Sequence, residues 1–179
     1  MKKIILCLSL LLGLAGINAQ EMNLHDFVVT DINGEKFELS SLKGKKVLVV
    51  NTASKCGLTP QYETLEEVYK NYGGDDFVII GFPANNFGKQ EPGTDEGIKG
   101  FCQKNYGVSF PMMSKISVKG EDKHELYQWL TQKSKNGVED AEVKWNFQKF
   151  MIDENGNYVG HVAPQKSPDC DTIIDWIKG

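Results

Sequence analysis

Two uninterrupted apolar runs constrain the fold more than any other feature of this 179-residue chain. Residues 47–50 (VLVV) and 77–82 (FVIIGF) contain no polar side chain, which is typical of strands that are buried on both faces. Between them, residues 65–72 place Leu, Val and Tyr side chains three or four positions apart, the spacing of one helix face. The sequence therefore predicts two neighbouring parallel strands that are connected by a helix.

The remaining pattern adds an N-terminal hairpin and an antiparallel pair of strands. Residues 27–39 alternate around Asn33 and Gly34, a strong turn signal. Further helices are predicted at residues 94–105, 122–135 and 169–178, and further strands at 143–152 and 158–162. This order predicts an α/β fold with a mixed central sheet, largely parallel at its centre, flanked by helices and preceded by the β-hairpin.

The first residues resemble a secretory signal peptide. Lys2 and Lys3 precede an apolar run at residues 4–17, and Ala19 offers a small residue for cleavage. We expect residues 1–19 to be a signal peptide and residues 20–179 to form a single exported domain. In a bacterium this domain would be located in the periplasm. The run is shorter than the roughly 20 residues of a spanning helix, so no stable membrane span is expected after cleavage. An uncleaved anchor is the alternative.

The charged residues argue against several classes of partner. The formal net charge is −4, and all 20 basic residues are lysines. An acidic chain without arginine is a poor candidate for binding nucleic acid. It also lacks the guanidinium group that holds carboxylates or phosphates through two parallel hydrogen bonds.

Cysteine usage indicates a reactive thiol. Cys7 lies in the predicted signal peptide, which leaves Cys56, Cys102 and Cys170. An odd number of cysteines in an oxidising compartment implies at least one free or reactive thiol. The three histidines lie far apart without the spacing of metal ligands, so we expect neither a metal site nor another cofactor.

Cys56 follows a predicted buried strand and precedes a predicted helix, with Thr59 as its N-cap and Pro60 as its first residue. Free backbone N–H groups and the helix dipole at such a position favour a thiolate, the nucleophilic form of cysteine. Position 59 holds no second cysteine, so this is not the C-x-x-C pair of a dithiol oxidoreductase. The alternative is a small buried core residue.

Three segments in order resemble the glutathione peroxidase family. They are residues 51–59 (NTASKCGLT), 81–93 (GFPANNFGKQEPG) and 144–150 (KWNFQKF), and the similarity runs from about residue 26 to the end. The resemblance implies a thioredoxin-like fold. Three separate segments in the family's order are far more specific than one short motif.

The resemblance also implies an active site and a reaction. Cys56 occupies the position of the family's peroxidatic residue, and Gln90, Trp145 and Asn146 occupy those of its hydrogen-bonding partners. Amide and indole groups can donate to sulfur without carrying charge. The implied thiolate attacks a peroxide O–O bond, releases water or an alcohol and becomes a sulfenic acid.

Residues 101–111 (FCQKNYGVSFP) resemble the resolving-cysteine segment of the thioredoxin-dependent, non-selenium branch of the family. Cys102 would then attack the Cys56 sulfenic acid and form a disulfide. Gly97 and Gly100 weaken the predicted helix by about 1 kcal/mol each relative to alanine, which would let Cys102 move. The alternatives are that Cys102 is a core residue or that Cys170 resolves instead.

The resemblance also bears on the reductant. Selenium-containing members are thought to hold glutathione with basic residues including arginine, which this chain lacks. Residues 135–143 leave no room for the long loop of tetrameric members. We therefore expect a monomer that reduces hydrogen peroxide or organic hydroperoxides and is itself reduced by a thioredoxin-like protein. Alternatives are a peroxide-sensing thiol relay and a thiol–disulfide oxidoreductase of the same fold.

Overall fold

The computed structural model describes residues 22–179. The predicted signal peptide, Cys7 and the predicted domain start at Gln20 therefore lie outside the described residues. No helix within the described range is both long and apolar enough to cross a membrane.

The N-terminal hairpin forms as predicted. Strands β1 (Val28–Thr30) and β2 (Lys36–Glu38) pair antiparallel in a separate two-stranded sheet. The Asp31 carboxylate accepts hydrogen bonds from the backbone N–H groups of Asn33 and Glu35, and Gly34 supplies the positive φ of 86° that the turn requires.

A four-stranded mixed sheet forms the centre of the molecule. Its strands are β3 (Lys46–Thr52), β4 (Phe77–Pro83), β5 (Lys149–Ile152) and β6 (Tyr158–Val162). In the order β4-β3-β5-β6, β3 pairs parallel with β4, whereas β3 with β5 and β5 with β6 pair antiparallel. The predicted mixed sheet is confirmed. Within residues 22–179 its parallel part comprises the β3–β4 pairing and an isolated parallel bridge between Gly81 of β4 and Met112, whereas β5 and β6 make the other half of the sheet antiparallel.

Five α-helices accompany the sheet within the described part of the chain. They are α1 (Gln61–Tyr72), α2 (Asp95–Tyr106), α3 (Glu125–Thr131), α4 (Lys133–Asn136) and α5 (Asp171–Lys178), and short 3₁₀ helices lie at Leu24–Asp26 and Leu39–Leu42.

The sheet separates two hydrophobic cores, which explains the apolar run of β3. Val47 and Val49 belong to the core shared with α3 and the hairpin. Leu48 and Val50 belong to the opposite core, shared with α1, α2 and α5. Since neighbouring side chains point to opposite faces of a strand, both sets must be apolar.

Two predicted elements differ from the observed ones. The predicted helix at 122–135 is divided into α3 and α4, because Gln132 adopts an extended backbone with φ −121° and ψ 117°. The predicted strand at 143–152 is formed only from Lys149 onwards. Residue Phe147 has φ 67°, in the left-handed region, so the chain before it cannot continue the ladder. This shortening leaves a loop at the edge of the sheet where the candidate site lies.

Candidate active site

Cys56 lies in the loop between β3 and α1, at the carboxyl ends of the two parallel strands. Its side chain is buried, with 8% of the residue exposed, and its sulfur is a free thiol. The backbone N–H of Leu58 donates a hydrogen bond to Sγ at 3.3 Å. This neutral donor fixes the position of the sulfur within the loop.

Thr59 has a different role from the one predicted. The residue before α1 is Pro60, and no side chain caps that helix. Instead, the Thr59 hydroxyl accepts from the backbone N–H of Cys56 at 2.9 Å and donates to the carbonyl of Ala53 at 2.8 Å. Both ends of the loop are bound to one buried hydroxyl, so Thr59 holds the backbone of Cys56 in place.

Gln90 is brought beside this loop by its backbone and beside Asn146 by its side chain. The carbonyl of Gln90 accepts from the backbone N–H of Lys55 at 3.0 Å. Its Oε1 accepts from Nδ2 of Asn146 at 3.0 Å, and Asn146 is fully buried. Because the carbonyl end of the Gln90 amide is engaged, its NH₂ group is left to donate elsewhere.

Trp145 and Asn146 lie on the loop that precedes β5. Asn51 lies near the end of β3. Its side-chain Nδ2 donates to the carbonyl of Trp145 at 3.1 Å, and its backbone carbonyl accepts from the backbone N–H of Phe147 at 2.6 Å. Trp145 is 36% exposed, and the centroid of its ring lies 5.4 Å from that of the Phe87 ring. The end of β3 therefore holds this loop at the same edge of the sheet as Cys56.

The four predicted site residues are thus brought to one edge, but with one difference from expectation. Within residues 22–179 the hydrogen bond to Cys56 Sγ comes from Leu58, and none of the Gln90, Trp145 or Asn146 side chains donates to it. Their roles as partners of the sulfur stay a prediction. No group of three His, Cys, Asp or Glu side chains in the described range is arranged to hold a metal ion.

Cys102 lies on the inner face of α2, in the same hydrophobic core as Cys56. It is 1% exposed and free, and burial raises the pKa of its thiol to about 11. The Tyr62 hydroxyl lies near it without forming a well-aligned hydrogen bond. Cys170, half-buried at the start of α5, is also free.

Sequence reasoning missed Glu91, which directly follows Gln90. Glu91 is fully buried, and burial raises the pKa of its carboxyl group. The hydroxyl of Ser54, two residues before Cys56, donates to its Oε2 at 3.0 Å. The only signal in the sequence was its place within the segment at residues 81–93.

Comparisons with known proteins agree with one another. The sequence model of the family described as Glutathione peroxidase matches residues 24–131. "Glutathione peroxidase homolog BsaA" of Halalkalibacterium halodurans is 49% identical over 82% of this chain and 93% of that protein. "Glutathione peroxidase-like peroxiredoxin 2" of Saccharomyces cerevisiae is 50% identical over 80% of this chain and 89% of its own length.

Solved structures resemble this fold at two levels. A crystal structure described as Trgpx in apo form superposes with a TM-score of 0.67 at 44% identity, covering 88% of this chain and 97% of that one. A thiol:disulfide interchange protein of the thioredoxin family from Chlorobium tepidum gives a TM-score of 0.57 at 22% identity, covering 90% and 99% of the two chains. The second likeness concerns the fold alone.

Proposed function

The chain belongs to the glutathione peroxidase family and is a thiol peroxidase, and from this premise we propose that Cys56 is its peroxidatic residue. The observation that carries the proposal is the position of Cys56 Sγ. It lies in the loop between β3 and α1, accepts a hydrogen bond from the backbone N–H of Leu58 at 3.3 Å, and belongs to the loop to which Gln90 is bound. The thiolate form of a cysteine is the nucleophile that a peroxide oxidises.

The first step follows from this placement. The Cys56 thiolate attacks one oxygen of the hydroperoxide, the O–O bond breaks, and the departing oxygen leaves as water or an alcohol after taking a proton. Cys56 becomes a sulfenic acid. The amide NH₂ of Gln90 and the indole N–H of Trp145 are neutral donors that can stabilise the departing oxygen. Asn146 supports Gln90 through their 3.0 Å hydrogen bond.

The second step is the attack of Cys102 on the sulfenic acid. The S–O bond breaks, a Cys56–Cys102 disulfide forms, and water leaves. Cys102 is 1% exposed within α2, and partial unwinding of α2 would free it to bring its Cα atom within the roughly 7 Å of that of Cys56 that a disulfide allows. A thioredoxin-like dithiol protein then reduces the disulfide by exchange, and the enzyme acts as a monomer.

The absence of arginine supports this reductant over glutathione. The decisive assay compares peroxide turnover with thioredoxin and thioredoxin reductase against turnover with glutathione and glutathione reductase. We expect turnover with the first pair, and Cys102→Ser should consume one equivalent of peroxide and then stop.

Disulfide mapping after one equivalent of peroxide identifies the resolving residue. We expect Cys56 to be joined to Cys102, and a Cys56–Cys170 bond would reject that assignment. Undiminished thioredoxin-dependent turnover by Cys102→Ser would show that Cys102 is only a core residue.

A further inference from the structure

Glu91 is a fully buried carboxylate beside the reactive loop with an incomplete set of partners. Its Oε2 accepts from Ser54 Oγ at 3.0 Å, and its backbone N–H donates to Asn85 Oδ1 at 2.9 Å. Its other carboxylate oxygen, Oε1, is buried and has no hydrogen-bond partner among residues 22–179. A buried carboxylate oxygen without a donor is costly, which points to a function for this group.

Titratable groups of several neighbouring segments interact with Glu91. Burial is the largest effect on the pKa of Glu91 and raises it, whereas the hydrogen bond from Ser54 and the charges of Lys115, in the segment after α2, and of Lys55, in the Cys56 loop, lower it. The charge of Glu91 in turn contributes to the raised pKa values of Tyr62 on α1 and Cys102 on α2. Glu91 therefore lies within electrostatic reach of the buried thiol and is bound to the loop of the peroxidatic one.

The resolving step needs a proton acceptor at this place. With the pKa of Cys102 near 11, only about one thiol in ten thousand is ionised at pH 7. The attacking thiol must lose its proton, and the hydroxyl group that leaves Cys56 must gain one. Lys55 and Lys115 are charged donors, and the Tyr62 hydroxyl has a pKa raised well above 10, so neither kind of group is suited to accept the proton near neutral pH.

We propose that Glu91 is the proton-transfer residue of the resolving step. Its carboxylate takes the proton of the Cys102 thiol as that sulfur attacks the Cys56 sulfenic acid, and returns the proton to the departing hydroxyl group. The S–S bond forms, the S–O bond breaks, one water leaves, and the carboxylate is regenerated. This inference rests on the proposed resolving role of Cys102.

The surrounding space suits this role. A cavity of about 280 Å³ lies between Ser54, Lys55 and Glu91 on one side and Gly97, Ile98 and Phe101 of α2 on the other. It gives the first turns of α2 room to loosen towards the Cys56 loop. Because Ser54 binds Glu91 on the Cys56 side, the carboxylate stays near the point of attack while Cys102 moves.

The test is the pH profile of disulfide closure in Glu91→Gln, a neutral replacement of the same shape. The purified reduced protein is mixed with one equivalent of hydrogen peroxide, and the sulfenic acid and the disulfide are followed by acid quench and mass spectrometry from pH 6 to pH 10. In the unaltered protein we expect closure to vary little with pH near neutrality. In Glu91→Gln we expect closure to be slowed about 100-fold at pH 7, and to rise about tenfold per pH unit as Cys102 ionises directly.

Glu96→Gln makes the same charge change on the exposed side of α2 and should leave the closure profile as it was. Glu91→Asp keeps a carboxylate and should keep the flat profile, although at a lower rate. The same rate and profile in Glu91→Gln as in the unaltered protein would overturn the inference, as would a steep profile in Glu91→Asp. If the unaltered protein forms no Cys56–Cys102 disulfide, the proposed resolving role of Cys102 fails, and this inference fails with it.

Discussion

At the scale of single residues, a buried lysine supports the helix that follows the reactive loop. Lys149 on β5 is fully buried, and its Nζ donates to Gln61 Oε1 at 2.5 Å, to the Pro164 carbonyl at 3.0 Å and to the Lys166 carbonyl at 2.6 Å. Burial lowers the pKa of Lys149 to about 7. Three acceptors nevertheless require three N–H donors, which only the charged ammonium group provides.

Lys149→Met should destabilise the protein by about 2–3 kcal/mol, because it keeps the apolar length of the side chain but leaves buried oxygens without a donor. The affected oxygens belong to the first residue of α1 and to the loop before α5. Guanidinium unfolding of the reduced protein measures the change. Lys144→Met, at an exposed position, is the control and should stay within about 0.5 kcal/mol. A loss below about 1 kcal/mol in Lys149→Met would contradict the role given to these hydrogen bonds.

Glu91 and Lys149 also mark what the sequence could not predict about the site. Resemblance to a family supplied Cys56, Gln90 and Asn146, and the structure brings them to one edge of the sheet. Charged residues are usually exposed, so a Glu in a polar loop and a Lys within a strand carry no sign that tertiary contacts bury them completely. Their positions depend on partners that are distant in sequence, such as Ser54 for Glu91 and Pro164 for Lys149.

At the scale of elements, α2 combines a firm start with a weakened middle. Thr94 caps its N-terminus by accepting from the backbone N–H of Gly97, and Gly107 ends it in the left-handed conformation. Gly100 lies on its exposed side, and a Cβ atom added there would contact nothing within 4 Å. Alanine therefore fits at this position without strain.

Gly100→Ala should stabilise the protein by about 0.5–1 kcal/mol and slow disulfide closure up to about fivefold, if unwinding of α2 limits that step. Thermal unfolding and the peroxide-quench assay measure the two effects on the same sample. Asn71→Ala, at an exposed position of α1, adds helix propensity elsewhere and should stabilise without slowing closure. A stabilised Gly100→Ala protein that closes at the original rate would show that Cys102 reaches Cys56 without unwinding α2.

The accuracy of the predicted elements followed the strength of their local signals. The hairpin turn and the strands β3 and β4 were confirmed, since glycine turns and apolar periodicity act locally. The extent of β5 was not predictable, because its start depends on the hydrogen bonds that Asn51 makes across the sheet to the loop before it. Thr59 was misassigned because its hydroxyl bonds Ala53 and Cys56 rather than the first turn of α1.

At the scale of the whole molecule, two cores on a mixed sheet give the reactive loop a rigid base. β3 lies between β4 and β5 and contributes alternate side chains to both cores, so the residues at its carboxyl end are held from both faces. The loops that carry Cys56, Gln90 and Asn146 begin or end at β3, β4 and β5, respectively. α2 packs on one face only, which allows it to loosen while the Cys56 loop keeps its position.

The compartment in which this cycle runs decides which reductant it meets. We propose that residues 1–19 direct export and that the exported chain begins at Gln20, so that its disulfide is reduced in the periplasm of a bacterium. Expression of the full chain in a bacterial host, followed by cell fractionation and N-terminal sequencing, should find the protein in the periplasm starting at Gln20. Replacing Lys2 and Lys3 with Glu removes the positive start of the signal and should leave an unprocessed chain in the cytoplasm.

Replacing Lys104 and Lys144, at two exposed positions of the domain, with Glu makes the same change of charge. This control variant should be exported normally. An unprocessed chain that fractionates with the membrane would instead identify residues 1–19 as an anchor. An unprocessed chain in the cytoplasm would remove the basis for a periplasmic reductant. The thiol chemistry of Cys56 would stand in either case, because the hydrogen bonds that position Cys56 are made within residues 22–179.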